Sequence, residues 1–269
     1  MSFAVFVLST GRCGTQWLAE NLEQAYGDRI GVEHEPIHDG YCARRMLGAG
    51  DPARLEPELA APLLRHLDAV ERRLETRPYI ECGYPCWSSI PYLARRFGGR
   101  LRVVHLTRHP VPTALSWLTH GAYQPPLLPH LREKVLLSPA DPGTALGEYG
   151  SLWDSISPFE KCLYYWAEVN GFGLAQQDAL ALPWLRLSLE DLSGGEGLAR
   201  LLAFLELPRR ESIFAARTHA LDRQRSITLE RPQPALTGRH PQIARTARAL
   251  GYDLTDVSVW YGAERYFGC

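Results

Sequence analysis

The chain has 269 residues, a formal net charge of −1, 45% hydrophobic and 22% charged residues, an ordinary balance for a soluble globular protein. That balance excludes a nucleic-acid coat or a basic membrane surface, yet leaves room for a local cleft built from two or three cations. The length suffices for one large α/β domain with a well-buried core, with two small domains as the alternative.

The six cysteines, Cys13, Cys42, Cys82, Cys86, Cys162 and Cys269, form no paired C-x-x-C array, so neither a structural zinc site nor a disulfide framework is expected. The apolar run from Phe3 to Leu8 lacks the basic flank and length of a signal peptide. No run approaches the roughly 18–20 apolar residues of a membrane helix. The expectation is a cytoplasmic protein with reduced thiols and no integral membrane segment.

In chain order, Ala4 to Leu8 reads as a short buried strand stopped by Ser9-Thr10-Gly11. Trp17, Leu18, Leu22 and Ala25 then recur at helical spacing, which predicts a helix from Thr15 to Ala25 and, with the strand, the start of a βαβ unit. A second strand is expected over Arg29–Glu33, a long helix over Leu55–Leu74, a strand at Tyr79–Glu81 and a helix over Ile90–Phe97. The turn signal Gly98-Gly99 precedes a buried strand, Leu101–Leu106, and Pro110 suits the first turn of a helix over Val111–Leu118. Residues 121–157 are rich in Pro and Gly and weakly periodic, the pattern of a lid or acceptor-binding insertion. Beyond them come a helix over Pro158–Gln177, a strand at Leu185–Leu187, a helix over Leu198–Leu205, a loop over Thr218–Pro234 and a last helix over Gln242–Leu250. Strands alternating with helices argue for one α/β domain over residues 1–269, a central parallel sheet flanked by helices. Ligands of such sheets bind beyond the carboxyl ends of the strands.

Two loops at such ends carry the chemistry. In Ser9-Thr10-Gly11-Arg12-Cys13-Gly14-Thr15-Gln16, the two glycines let successive N–H groups turn inward, and the following helix offers unpaired donors and a positive dipole end. Arg12 adds a full charge, while Thr15 and Gln16 add side-chain donors. The plainer alternative is a glycine turn that only joins strand to helix. The loop is not a Walker A motif, which needs a lysine after its last glycine, nor is it G-x-G-x-x-G. The second loop is Thr107-Arg108-His109-Pro110. A nucleoside triphosphatase would commonly place a magnesium-binding aspartate at such a strand end; here stands the cation Arg108, with Ser116 eight residues on. No metal site is expected.

Together these segments resemble the PAPS-dependent sulfotransferase family, in a bacterial-type, P-loop NTPase-like form. Gly11-Arg12-Cys13-Gly14-Thr15-Gln16-Trp17-Leu18 resembles the family's 5′-phosphosulfate loop, with Cys13 where serine is usual and Gln16 where serine or threonine is usual. Val104 to Pro110 and on to Ser116 resembles the 3′-phosphate motif, and Leu185 to Leu192 resembles the family's "RYEDL" segment, with a weaker echo at Leu250-Gly251-Tyr252. The resemblance implies an enzyme that moves a sulfuryl group from 3′-phosphoadenosine 5′-phosphosulfate (PAPS) to a hydroxyl or amine and releases 3′,5′-ADP, with no metal required. Gly11, Arg12, Cys13, Gly14, Thr15, Gln16, Arg108 and Ser116 would bind the nucleotide. The acceptor, a small molecule, a glycan or a lipid, is not specified, nor is the oligomeric state; nucleic acid is not expected as a partner.

Sulfuryl transfer also needs a base for the acceptor proton. Val32-Glu33-His34-Glu35-Pro36 follows the second predicted strand, and a "HEP"-like segment often supplies the base in bacterial members. The resemblance carries this role to Glu35 or His34, with Glu35 preferred; Glu81, at the end of another predicted strand, is a third candidate, and the histidine that cytosolic members use near that strand has no counterpart between Glu81 and His105. Glu35 paired structurally with a cation is the competing reading. Tyr164, Tyr165 and Trp166 are expected in the core or lining an acceptor pocket, and one of Arg223, Arg225 and Arg239 at the 3′-phosphate. The alternatives are a P-loop-like kinase or nucleotide hydrolase, and a non-catalytic module for sulfated or phosphorylated ligands.

Overall fold

The computed structural model describes residues 2–125, 130, 132–193, 195–210, 239–256, 258–262 and 266. In chain order the elements are β1 (Ala4–Leu8), α1 (Thr15–Tyr26), β2 (Gly31–His34), α2 (Ala43–Ala49), α3 (Pro57–Arg73), β3 (Tyr79–Cys82) and α4 (Ile90–Phe97). They continue with β4 (Leu101–Thr107), α5 (Pro110–Thr119), α6 (Pro158–Ala179), β5 (Trp184–Ser188), α7 (Leu189–Ser193), α8 (Glu196–Phe204), α9 (Pro241–Ala249) and α10 (Ser258–Gly262). The chain divides into two compact units, one of Met1–Thr107 and Phe172–Ala220, the other of Arg108–Gly171 and Leu221–Cys269.

The first unit holds a five-stranded sheet in the order β2-β3-β1-β4-β5, parallel throughout. β1 lies in the middle because Ala4-Val5-Phe6-Val7-Leu8 is apolar on both faces, and each of these residues is fully buried. Val5 and Val7 face Leu18, Leu22 and Tyr26 of α1 and Leu201 and Leu202 of α8, while Phe6 meets Phe97 of α4 on the other face with ring centroids 5.9 Å apart. Each such fully buried side chain contributes about 1.5–3 kcal/mol of transfer free energy. From β1 the chain runs to the β2 edge, and from β4 toward the β5 edge; this reversal makes the carboxyl ends of β1 and β4 the place where such sheets open a crevice.

The strands and longer helices match the sequence pattern, with instructive offsets. β2 starts at Gly31 rather than Arg29, because the amides of Arg29 and Ile30 donate to the Tyr26 carbonyl (2.7 and 3.0 Å) and close α1 first. It also runs one residue further, which makes His34 a strand residue paired with Cys82. The short helices α2 and α7 carry too little periodicity to be seen. α7 forms because Ser188 and Asp191 cap each other: Ser188 N–H donates to Asp191 Oδ2 and Asp191 N–H to Ser188 Oγ, both at 2.9 Å.

In the second unit, the irregular stretch after α5 is anchored by polar side chains. Tyr123 Oη donates to the Leu137 carbonyl (2.6 Å) and accepts from its N–H (2.9 Å). Glu168 accepts the N–H groups of Ala145 and Leu146 (3.0 and 2.6 Å), and Glu160 that of Ser157 (2.8 Å). Glu160 also meets His240 Nε2 at 3.0 Å, just ahead of α9. Tyr164, Tyr165 and Trp166 are core residues of this unit. The loop expected over Thr218–Pro234, with Arg223 and Arg225, lies outside the described residues; Arg239 is exposed.

Candidate functional site

The loop leaving β1 is wound by its own side chains. Gly11 N–H donates to Ser9 Oγ (3.1 Å), while Thr10 Oγ1 and Cys13 Sγ both donate to the Gly11 carbonyl (3.0 and 3.2 Å). The backbone is left-handed at Gly11 (φ 72°), Arg12 (φ 60°) and Gly14 (φ 81°). For a non-glycine residue such as Arg12 that conformation costs on the order of 1–3 kcal/mol, a strain typical of ligand clamps. Gly14 then caps α1, whose first amides have no partner within the helix and carry its positive end. A Cβ at Gly14 would lie 2.8 Å from Leu189 Cδ1, so the β5–α7 junction presses directly on this loop.

The side chains of the loop divide sharply. Cys13 is wholly buried among the apolar residues over β1, which leaves only its backbone to face a ligand. Gln16 is exposed, and its amide donates to Glu20 Oε1 (3.0 Å) along the outer face of α1. Thr15, by contrast, is buried and meets β2: its Oγ1 lies 3.3 Å from His34 Nε2.

His34 leads into Glu35, the residue after β2. Glu35 adopts a left-handed backbone (φ 46°), as does His38 (φ 38°). The Glu35 N–H donates to the Cys82 carbonyl (3.2 Å) and its carbonyl accepts from His38 N–H (3.1 Å). Its carboxylate sits between two imidazoles, 3.6 Å from His34 Nε2 and 3.7 Å from His38 Nε2. Burial holds the His34 pKa below its ordinary value, against the opposing pull of Glu35, Glu20 and Glu81. Neutral imidazole is therefore favoured beside Thr15. Tyr84 closes the group: its ring meets that of His38 edge-on at 6.2 Å. Burial and the charges of Glu35 and Asp39 raise its hydroxyl pKa, while Arg12 lowers it.

Glu81 has different surroundings. Strand alternation turns it away from α1, because Glu33 pairs with Glu81 while His34 pairs with Cys82. It has no exposed surface, and its Oε2 lies 2.7 Å from His66 Nε2 and accepts from Tyr79 Oη at 3.2 Å. Burial and Glu81 together push the Tyr41 hydroxyl well above its ordinary pKa.

In the second unit, Arg108 and Ser116 are both buried, 9% and 3% exposed. Arg108 is the residue directly after β4. Its Nη2 donates to Tyr266 Oη (3.2 Å), and its carbonyl accepts from Trp166 Nε1 (2.9 Å). His109 caps α5 by accepting the Val111 N–H (3.2 Å). The structure thus brings Gly11, Arg12, Cys13, Gly14, Thr15, His34 and Glu35 into one neighbourhood, with Gln16 turned outward, and gives Arg108 a buried tyrosine partner.

No family model matches the sequence, and no curated protein matches it. Solved structures do. The sulfotransferase from Alicyclobacillus acidocaldarius matches with a TM-score of 0.51 and 16% identity over 97% of this chain and 99% of that one. The sulfotransferase domain from the Synechococcus PCC 7002 olefin synthase matches with a TM-score of 0.50 and 16% identity over 94% and 95%. The chain has the sulfotransferase fold. Within this fold, sequence reasoning missed Tyr84, His38, Gly83 and Tyr266. Tyr84-Pro85, two residues past β3, was a readable signal, since ligands gather at strand ends; Tyr266, 158 residues from Arg108, left none. Among the described residues no helix is long and apolar enough to cross a membrane.

Proposed function

We propose that this chain is an enzyme that transfers a sulfuryl group from PAPS to a hydroxyl or amine acceptor and releases 3′,5′-ADP. The observation that carries the proposal is the meeting at Thr15 of a strained glycine loop, the opening of α1, and the His34–Glu35 end of β2. The sulfotransferase fold supports it. Arg12 and the first amides of α1 hold the 5′-phosphosulfate, with charge and dipole directed at oxygens that gain charge as the bond to sulfur breaks. Arg108 and Ser116 hold the 3′-phosphate. The acceptor oxygen or nitrogen attacks sulfur in line, the sulfur–oxygen bond to the 5′-phosphate breaks, and the acceptor proton passes to Glu35. His34 is the second choice for that proton. Glu81 ranks last, because a base must reach the acceptor and Glu81 has no exposed surface.

Two measurements test this reading. In titration calorimetry, 3′,5′-ADP in EDTA is expected to bind more tightly than ATP with magnesium; the reverse order would favour a kinase or nucleotide hydrolase. In the second, [35S]PAPS is incubated with a panel of phenols, sugars, aliphatic alcohols and amines, and labelled product is expected with one class. Tight 3′,5′-ADP binding without transfer to any class would reduce the protein to a binding module.

A further inference from the structure

Most exposed glycines of this chain have room to spare. A Cβ at Gly50, Gly98, Gly99, Gly147 or Gly150 would meet nothing within 4 Å. Gly83, one residue past β3, is buried and has no such room. Its φ lies outside the left-handed region, so no positive-φ strain calls for glycine there. What forbids a side chain there is Glu35: a Cβ at Gly83 would stand 2.7 Å from Glu35 Cγ, and 3.4 Å from both Glu35 N and Pro85 Cδ.

We infer that Gly83 is a positioning residue for Glu35, its missing side chain forming the seat in which the Glu35 methylene rests. The backbone of Glu35 is tied on both sides, to the Cys82 carbonyl and the His38 N–H. Crowding at Gly83 is therefore relieved most readily by rotating Glu35 about χ1 into another staggered well. That rotation carries the carboxylate away from the two imidazoles it now faces, His34 at 3.6 Å and His38 at 3.7 Å. The inference rests on the reading of Glu35 as the base for its effect on turnover, but its geometric content stands apart from that reading.

The experiment compares wild type, Glu35→Ala, Gly83→Ala and the double variant. The first readout is the NMR titration of His34 in histidine-labelled protein. Its midpoint is expected to fall in Glu35→Ala and in Gly83→Ala alike, because both remove the same carboxylate from the imidazole. An unchanged midpoint in Gly83→Ala overturns the inference whatever the activity. The second readout is turnover of [35S]PAPS with the acceptor class found by the panel. Gly83→Ala is expected to lower kcat by about 100-fold, the scale of a 1 Å misplacement, with 3′,5′-ADP affinity within twofold. The double variant is expected to be no slower than Glu35→Ala alone; an additional loss equal to that of Gly83→Ala overturns the inference. Full turnover by Glu35→Ala removes Glu35 as base, and the His34 titration then still decides the role of Gly83. Should Gly83→Ala fail to fold, the double variant is expected to fold, since alanine at 35 has no Cγ to clash; failure of both overturns the inference.

Discussion

The end of β2 and the end of β3 each carry a glutamate beside a histidine, and the two are held in opposite ways. Glu35 sits on strained backbone between His34 and His38, at distances longer than a hydrogen bond, with 15% of its side chain exposed. Glu81 is sealed, 2.7 Å from His66, with Tyr79 and Tyr41 closing the space around it. A loosely held carboxylate can exchange a proton with a bound molecule, whereas one enclosed in a short pair is held in a single geometry and reinforces the layer between β3 and α3. The two glutamates share strand parity, since Glu33 pairs with Glu81; the left-handed backbone at Glu35, just past the end of β2, is what gives its carboxylate a different environment.

Substitutions can break this contrast, and the largest effect is expected at Glu35. Glu35→Ala should lower kcat for sulfuryl transfer by about 10²–10⁴-fold, the usual contribution of a positioned base, with 3′,5′-ADP affinity within a few-fold and unfolding by urea unchanged. Turnover at the wild-type rate would falsify the assignment. Glu81→Ala should do the reverse. Loss of one partner from a buried pair costs about 3–5 kcal/mol, read as a lower urea midpoint, while kcat per folded molecule and the 3′,5′-ADP affinity stay near wild type. A kcat collapse with intact stability would exchange the roles of the two glutamates.

Arg108→Ala sharpens the comparison from the nucleotide side. Removing a charge-assisted contact should cost about 1.5–3 kcal/mol of 3′,5′-ADP binding and leave 5′-AMP binding almost unchanged; equal losses for both nucleotides would contradict a 3′-phosphate role. The smallest effect is expected for Cys13→Ser. The thiol is buried and already donates to the Gly11 carbonyl, so a serine hydroxyl can take over that bond. Stability should move by less than about 1 kcal/mol and 3′,5′-ADP affinity by less than twofold, as read by urea denaturation and calorimetry. A tenfold affinity change would mean that the side chain at 13, rather than the backbone, faces the ligand.

Much of the fold was legible because its signals are local. The all-apolar run Ala4–Leu8 requires a strand buried on both faces, and the spacing of Leu18, Leu22 and Ala25 requires a helix against it. The offset at β2 was not legible, since it depends on amides of Arg29 and Ile30 finding the Tyr26 carbonyl. Helices α2 and α7 are too short to show a period, and α7 depends on a reciprocal cap. The loop from Gly11 to Thr15 was readable from its glycines, yet the inward turn of Cys13 and the outward turn of Gln16 were not. Those directions are set by packing, the first into the core over β1 and the second toward Glu20 one helical turn on.

By itself, then, the sequence determined an alternating α/β chain, a glycine-rich loop with an arginine after β1, a cation after β4, and a short list of carboxylates and imidazoles that included Glu35, His34 and Glu81. These follow from composition and periodicity, which local physics translates directly into strands, helices and helix termini. Only the tertiary structure decided that His34 meets Thr15 while Glu81 faces α3, that Arg108 donates to Tyr266, and that a Cβ at Gly83 would meet Glu35. Each of these is a contact between residues distant in sequence or on opposite faces of a strand. Such contacts exist only once the sheet has fixed its order and register.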